Sequence, residues 1–225
     1  MPFHVKRSQT AQASEMTTFN GARAVTWPEP PRGHSFFEKQ YFPAPSKLEG
    51  VPDSENLLIP PMHWHWRQEE YFTVTHGRFI FTLEGREFTV SATDEQTKIT
   101  IPVLLRHTFK VDPTCTEPCG IELSTLISPA GEEEGATERF FRNLYSYLED
   151  CHQQKVAPSL PQLLLFLDSA EVSLAFPGPG WIARPLSYAF GVVVGRWLGW
   201  LLGYRASYPE YYRAYDQTTD SRKDR

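Results

Sequence analysis

Between residues 56 and 128 apolar and polar residues alternate with a period of two, which puts every second side chain on one face of an extended strand. Phe72 and Val74 share a face with Glu70, and Phe79, Phe81 and Leu83 alternate with Arg78, Ile80 and Thr82. Glu84-Gly85 is a two-residue hairpin turn, after which Phe88 and Val90 resume the inward face. Ile99 and Ile101 lead into Pro102, and the strand that carries His107 continues through Phe109 and Val111. Ile121, Leu123, Thr125 and Ile127 form a last alternating face that Ser128-Pro129 stops. No helical period intervenes, so these strands must pair antiparallel.

After the acidic linker 131–135 the period changes to about 3.6. Phe140, Phe141, Leu144, Tyr147, Leu148 and Cys151 fall on one helical face. Ser159 stands where it can cap a second helix, with Pro161 in its first turn and Leu163, Leu164, Phe166 and Leu167 facing inward. A third helix is expected over 180–204, with Gly191, Gly195, Gly199 and Gly203 forming a stripe that permits close helix contact. Arg184, Pro185 and Arg196 interrupt its apolar run, so a packed or dimerising helix is the expectation and membrane-surface contact the less favoured one. Residues 1–45 are polar and proline-rich and read as an irregular segment, and 213–225 as a charged, disordered tail.

Composition adds limits. With 225 residues, 40% of them hydrophobic, the chain can bury a core. A net charge of −5 supplies no basic stripe for a phosphate backbone, so nucleic acid is not an expected partner. The 14% aromatic content suits a pocket for a flat organic ligand, and Phe72, Val74, Phe79, Phe81 and Phe109 are its expected walls. Cys115, Cys119 and Cys151 form no Cys-x-x-Cys pair, and the N-terminus shows no apolar signal-peptide run; both point to a reducing, cytoplasmic setting, with a Cys115–Cys119 bridge as a minor alternative.

The chemistry concentrates in Pro61-Met62-His63-Trp64-His65-Trp66-Arg67-Gln68-Glu69-Glu70. His63 and His65, two apart on a strand, aim both imidazoles into one cavity, and a carboxylate five positions on can close on the same point. His107 would add a fourth ligand from a separate strand, giving three nitrogens and one oxygen suited to iron, manganese, nickel, copper or zinc. The remaining histidines at 4, 34, 76 and 152 lack such spacing.

These residues resemble the cupin superfamily. Its first motif, G-x5-H-x-H-x4-E-x6-G, matches His63, His65, Glu70 and Gly77, with Leu57 in place of the opening glycine. Its second, G-x5-P-x-G-x2-H-x3-N, matches Pro102 and His107, while Gln96, Leu104 and Val111 replace two glycines and an asparagine. The gap to Gly77 favours Glu70 over Glu69, leaving Arg67, Gln68 and Glu69 as a solvated turn. The resemblance implies a mainly β fold: an antiparallel double-stranded β-helix (cupin or jelly-roll) barrel over 46–130 with an α-helical C-terminal extension over 137–212, packed on the barrel or closing its mouth. It implies metal ligation by His63, His65, Glu70 and His107, with iron(II) favoured and Glu70 also serving as a proton shuttle. The whole pattern is similar to cupin oxidoreductases of fungal secondary-metabolite pathways. A metal-dependent oxidoreductase acting on a small aromatic or polyketide-derived intermediate is therefore the leading expectation. A non-oxidative isomerase, dehydratase or cyclase and a non-catalytic ligand-binding barrel are the alternatives, and a homodimer is the expected assembly.

Overall fold

The computed structural model describes residues 5–43 and 56–214. Its strands are β1 (Glu15–Thr18), β2 (Arg23–Thr26), β3 (His34–Phe42), β4 (His63–His65), β5 (Glu70–His76), β6 (Arg78–Leu83), β7 (Arg86–Ser91), β8 (Lys98–Ile101), β9 (His107–Val111), β10 (Cys119–Leu126) and β11 (Val172–Leu174). Helices α1 (Glu138–Gln153) and α2 (Leu160–Ser169) precede β11; α3 (Gly180–Phe190), a π-helical stretch (Gly191–Leu198) and α4 (Gly199–Leu201) follow it. The strands form two antiparallel sheets, one in the order β1-β2-β3-β10-β5-β8 and the other β11-β4-β9-β6-β7. Their inner faces meet: Phe42 of β3 lies 5.9 Å from Phe79 of β6, and Phe72 of β5 lies 5.4 Å from Phe81 and 4.9 Å from Phe109, centroid to centroid. This is a mainly β arrangement of two packed antiparallel sheets with most of the helices following them in the chain.

The period-two reading holds for β5 and β6, whose inward residues Glu70, Phe72, Val74, Phe79 and Phe81 are all buried. Glu84 and Gly85 make the hairpin turn with φ of 48° and 80°. Phe88 departs from the expectation: at the outer edge of its sheet, it is 39% exposed while Val90 is buried. The larger correction concerns the N-terminal segment, whose described part, residues 5–43, is irregular only outside three strands. It supplies β1, β2 and β3, and β3 pairs with β10 along its whole length. Pro28, Pro30 and Pro31 break the chain between β2 and β3, and no proline falls within the three strands.

The predicted α1 face is buried through Phe140, Phe141, Tyr147, Leu148 and Cys151. Ser159 occupies the N-cap of α2 without a side-chain capping bond; its own N–H donates to the Tyr147 hydroxyl at 2.8 Å. The glycine stripe serves an internal contact. A Cβ on Gly195 would lie 2.6 Å from the Leu164 carbonyl carbon of α2, and one on Gly199 would lie 3.2 Å from the Pro161 oxygen. Gly195 and Gly199 thus let the two helix backbones touch, whereas a Cβ on Gly191 would meet nothing within 4 Å. Trp181, Trp197, Trp200 and Leu201 remain exposed on the other side. Among the described residues no helix is long and apolar enough to cross a membrane. Cys115 and Cys119 are buried free thiols 3.5 Å apart. Of the expected tail, residues 215–225 lie outside the described residues.

Candidate metal centre

Short strand β4 carries His63 and His65 on its inward face and Trp64 on the other. Trp64 is 1% exposed because the guanidinium groups of Arg106 and Arg184 lie over its ring at 5.5 and 6.0 Å. Helix α3, which contains Arg184, therefore covers the outside of the strand whose inside presents the imidazoles. His107 opens β9 directly opposite His63 in register, and Glu70 opens β5 in the facing sheet. Strand β11 from the C-terminal extension pairs with β4 on its other edge, setting Val172 beside His65 and Leu174 beside His63.

One ligand atom from each of His63, His65, Glu70 and His107 lies within 4.8 Å of the others. The Oε2 of Glu70 is 2.9 Å from His107 Nε2 and 3.6 Å from His65 Nε2. His63 and His107 are oriented alike: each directs Nδ1 at the carbonyl two residues upstream, Pro61 at 2.8 Å and Leu105 at 2.9 Å. Donating Nδ1–H to these carbonyls leaves both Nε2 lone pairs facing the centre, the tautomer a metal ligand requires. Burial, together with the neighbouring His107, pushes His65 down to about 3, and the same two causes with His65 added hold His63 well below 6.5. Both imidazoles are thus kept neutral and able to donate electron pairs.

The donor set fits a cation for a further reason. His65, 4% exposed, has no hydrogen-bond partner for either ring nitrogen. A buried polar atom without a partner is costly, and lone pairs converging on a carboxylate repel one another unless a positive charge lies among them. A divalent ion held by these four groups removes both penalties.

Gly77 and Leu104 show what the motif positions do. Gly77 has φ of +61°, and a Cβ there would sit 2.4 Å from Cys119 Sγ, so only glycine fits. Leu104 stands where the family motif has glycine and is itself left-handed, with φ of +64°. The loop before His107 thus keeps the glycine-type conformation despite the substitution. Its N–H bonds the His65 carbonyl at 2.8 Å, tying the two ligand strands together.

A cavity of about 670 Å³ opens over the centre, with His63, His65 and Glu70 among its walls. Phe140, Phe141, Leu144 and Tyr145 of α1 and Leu163 and Leu164 of α2 also line it, so these helices roof the site. Of the five expected pocket residues, Phe109 lines this cavity. Phe72, Val74, Phe79 and Phe81 are instead packed in the core, where the inner faces of the two sheets leave room only for each other's rings. Gln68 corrects the expectation of a solvated turn. It is 2% exposed, donating to the Leu126 carbonyl at 2.7 Å and accepting from the Ala136 N–H at 2.6 Å. Glu69 stays outside the centre and accepts from the Tyr71 hydroxyl at 2.6 Å. Arg23, Gln40 and Tyr145 are cavity residues that the sequence did not announce.

No protein-family model matches the chain. Among curated proteins it is 31% identical to epoxidase atD of Aspergillus terreus over 96% of this chain and 67% of atD. It is 36% identical to the probable oxidoreductase virH of Hypocrea virens over 70% of this chain and 69% of virH. It is 32% identical to the probable oxidoreductase yanE of Aspergillus niger over 95% of this chain and 82% of yanE. Among solved structures, the cupin domain of Schizosaccharomyces pombe Cnp3 aligns with 46% of this chain and 64% of its own at a TM-score of 0.34 and 10% identity. Identity of this level, sustained over at least 95% of the chain for atD and yanE, means that the protein belongs to the family of fungal oxidoreductases that includes atD, virH and yanE.

Proposed function

We propose that the protein is a metal-dependent oxidoreductase acting on a small, mostly apolar molecule with oxygen functions, an aromatic or polyketide-derived intermediate of secondary metabolism, with dioxygen as oxidant. The observation that carries this reading is the convergence of four ligand atoms within 4.8 Å at the wall of an apolar cavity large enough for such a molecule. A divalent metal with an accessible one-electron couple, iron(II) first, would supply Lewis acidity and redox capacity there.

The chain's own residues do the rest. His63 and His65, held neutral by burial, contribute electron pairs without adding charge. With Glu70 as the single anionic donor the centre keeps net positive character, which attracts an enolate or phenolate oxygen in a low-dielectric pocket. The roof formed by Phe140, Phe141 and Leu144 excludes water and orients the apolar body of the substrate. Glu70 Oε2, near both His107 and His65, is placed to take a proton from the substrate and return it.

The test starts from protein purified without oxygen. Elemental analysis should find one divalent ion per chain, and His65→Ala should lose it while remaining folded by circular dichroism. Oxygen uptake with phenolic and polyketide-like substrates should depend on that ion. Turnover that proceeds unchanged without oxygen would move the chemistry to isomerisation or dehydration, and a metal-free protein at full activity would end the proposal.

A further inference from the structure

The cavity has a second polar group of residues, outside the metal-ligand cluster. Strand β3 turns Glu38 and Gln40 inward where the two-residue period calls for apolar side chains, and they are 0% and 3% exposed. Glu38 Oε1 accepts from Gln40 Nε2 at 2.5 Å and from the Tyr145 hydroxyl at 2.9 Å. Arg23 of β2, 3% exposed, lays its guanidinium over the Tyr145 ring at 3.9 Å and donates Nε–H to Thr18 Oγ1 at 3.3 Å. Its Nη2 has no hydrogen-bond partner. Arg23, Gln40 and Tyr145 line the same cavity as His63, His65 and Glu70.

A buried guanidinium with an open donor is an unfinished interaction, because a charge withdrawn from water needs a counter-group. Glu38 is a poor one: burial pushes its carboxyl up to about 7, so near neutrality it carries only part of a negative charge. The Arg23 end therefore retains positive character. Arginine's planar N–H groups match the oxygens of an acid better than those of a neutral carbonyl.

We propose that Arg23 docks an ionised oxygen acid of the substrate, a carboxylate or an acidic phenolate, through its free Nη2–H, while the substrate's other end meets the metal-ligand cluster. The inference rests on the proposed function for the reacting end and on the Arg23 environment alone for the anchored end. Phe140, Phe141 and Leu144, which line the same cavity, then embrace the apolar body of that molecule. The substrate would be an amphiphilic acid, and its ester or amide would be rejected at Arg23.

Calorimetric titration tests this with 4-phenylbutyrate, 4-nitrophenolate and the neutral 4-phenylbutanamide, using metal-loaded protein. At least one anion should bind more tightly than the amide by about tenfold, the worth of one charge-assisted hydrogen bond. Preference for 4-phenylbutyrate assigns the end to carboxylic acids, and preference for 4-nitrophenolate assigns it to phenols. Arg23→Gln should abolish the preference while keeping the wild-type metal content. His65→Ala should lose the metal and keep the preference. A preference that survives in Arg23→Gln but vanishes in His65→Ala would put the anion at the metal and overturn the proposal. Equal affinity for all three probes in His65→Ala would also overturn it, even if Arg23→Gln failed to fold. A wild-type protein that binds no metal yet discriminates through Arg23 would sink the proposed function and leave this inference standing.

Discussion

Glu38→Gln isolates the energetic consequence of burying a carboxyl beneath the cavity. Glu38 is fully buried, and its pKa rises from an ordinary 4.5 to about 7, with burial the largest cause and hydrogen bonds from Gln40 and Tyr145 and the charge of Arg23 opposing it. Between these two values the folded state holds a proton that the unfolded chain has released. The resulting stability is complete below pH 4.5, declines as pH rises and is gone once the folded group ionises above pH 7. At about 1.4 kcal/mol per unit, the whole shift corresponds to roughly 3 kcal/mol, of which about 2.5 falls between pH 5 and pH 8. A glutamine at this position would carry no such dependence. Urea denaturation of wild type and Glu38→Gln at both pH values, without added metal, gives the comparison. The wild type should lose about 2–3 kcal/mol relative to the variant on going from pH 5 to pH 8. Taking this difference cancels the histidines, whose depressed values act in the opposite direction. A wild-type-minus-variant difference that stays constant over this range would mean that Glu38 is ionised at both pH values, and the desolvated, half-charged environment argued for Arg23 would be refuted.

Three further outcomes follow from packing and backbone geometry. Leu104→Gly should raise stability by about 0.5–1 kcal/mol, because relief of a left-handed leucine outweighs the added flexibility of glycine; a lower melting temperature would show that Leu104 packing, not strain, dominates. Gly195→Ala should cost about 1–3 kcal/mol, since the new Cβ meets the α2 backbone at 2.6 Å and a backbone cannot rotate away; an unchanged melting temperature would disprove the close helix contact. Gln68→Ala orphans the Ala136 N–H and leaves the Leu126 carbonyl only the long bond from Ser35 Oγ at 3.4 Å, and at about 1–3 kcal/mol for the orphaned group should lower the urea midpoint markedly; a change no larger than that of a surface substitution would return Gln68 to solvent.

The residues of the candidate metal centre were legible because their chemistry is local and repetitive. His63 and His65 share a strand face by spacing alone, and Glu70 begins the next alternating run, so the motif needs no distant information beyond the arrival of His107. The hairpin at Glu84-Gly85 and the buried face of α1 were legible for the same reason, since a periodic pattern reports the surface on which an element packs; on α2 only Leu164 and Phe166 of the expected face are buried, and Gln162 and Leu165 are buried with them. Strand β3 escaped that reading. Its inward residues run Phe36, Glu38, Gln40 and Phe42, and two polar members in four erase the alternation by which a buried strand is recognised. Three-residue β11 is too short to show any period. The polar end of the cavity was hidden along with β3, because Arg23, Gln40 and Tyr145 gain meaning only when β2, β3 and α1 converge. Local side-chain chemistry is written along the chain, whereas the burial that makes a carboxyl hold its proton or an arginine seek an anion is a property of what the rest of the fold places around it.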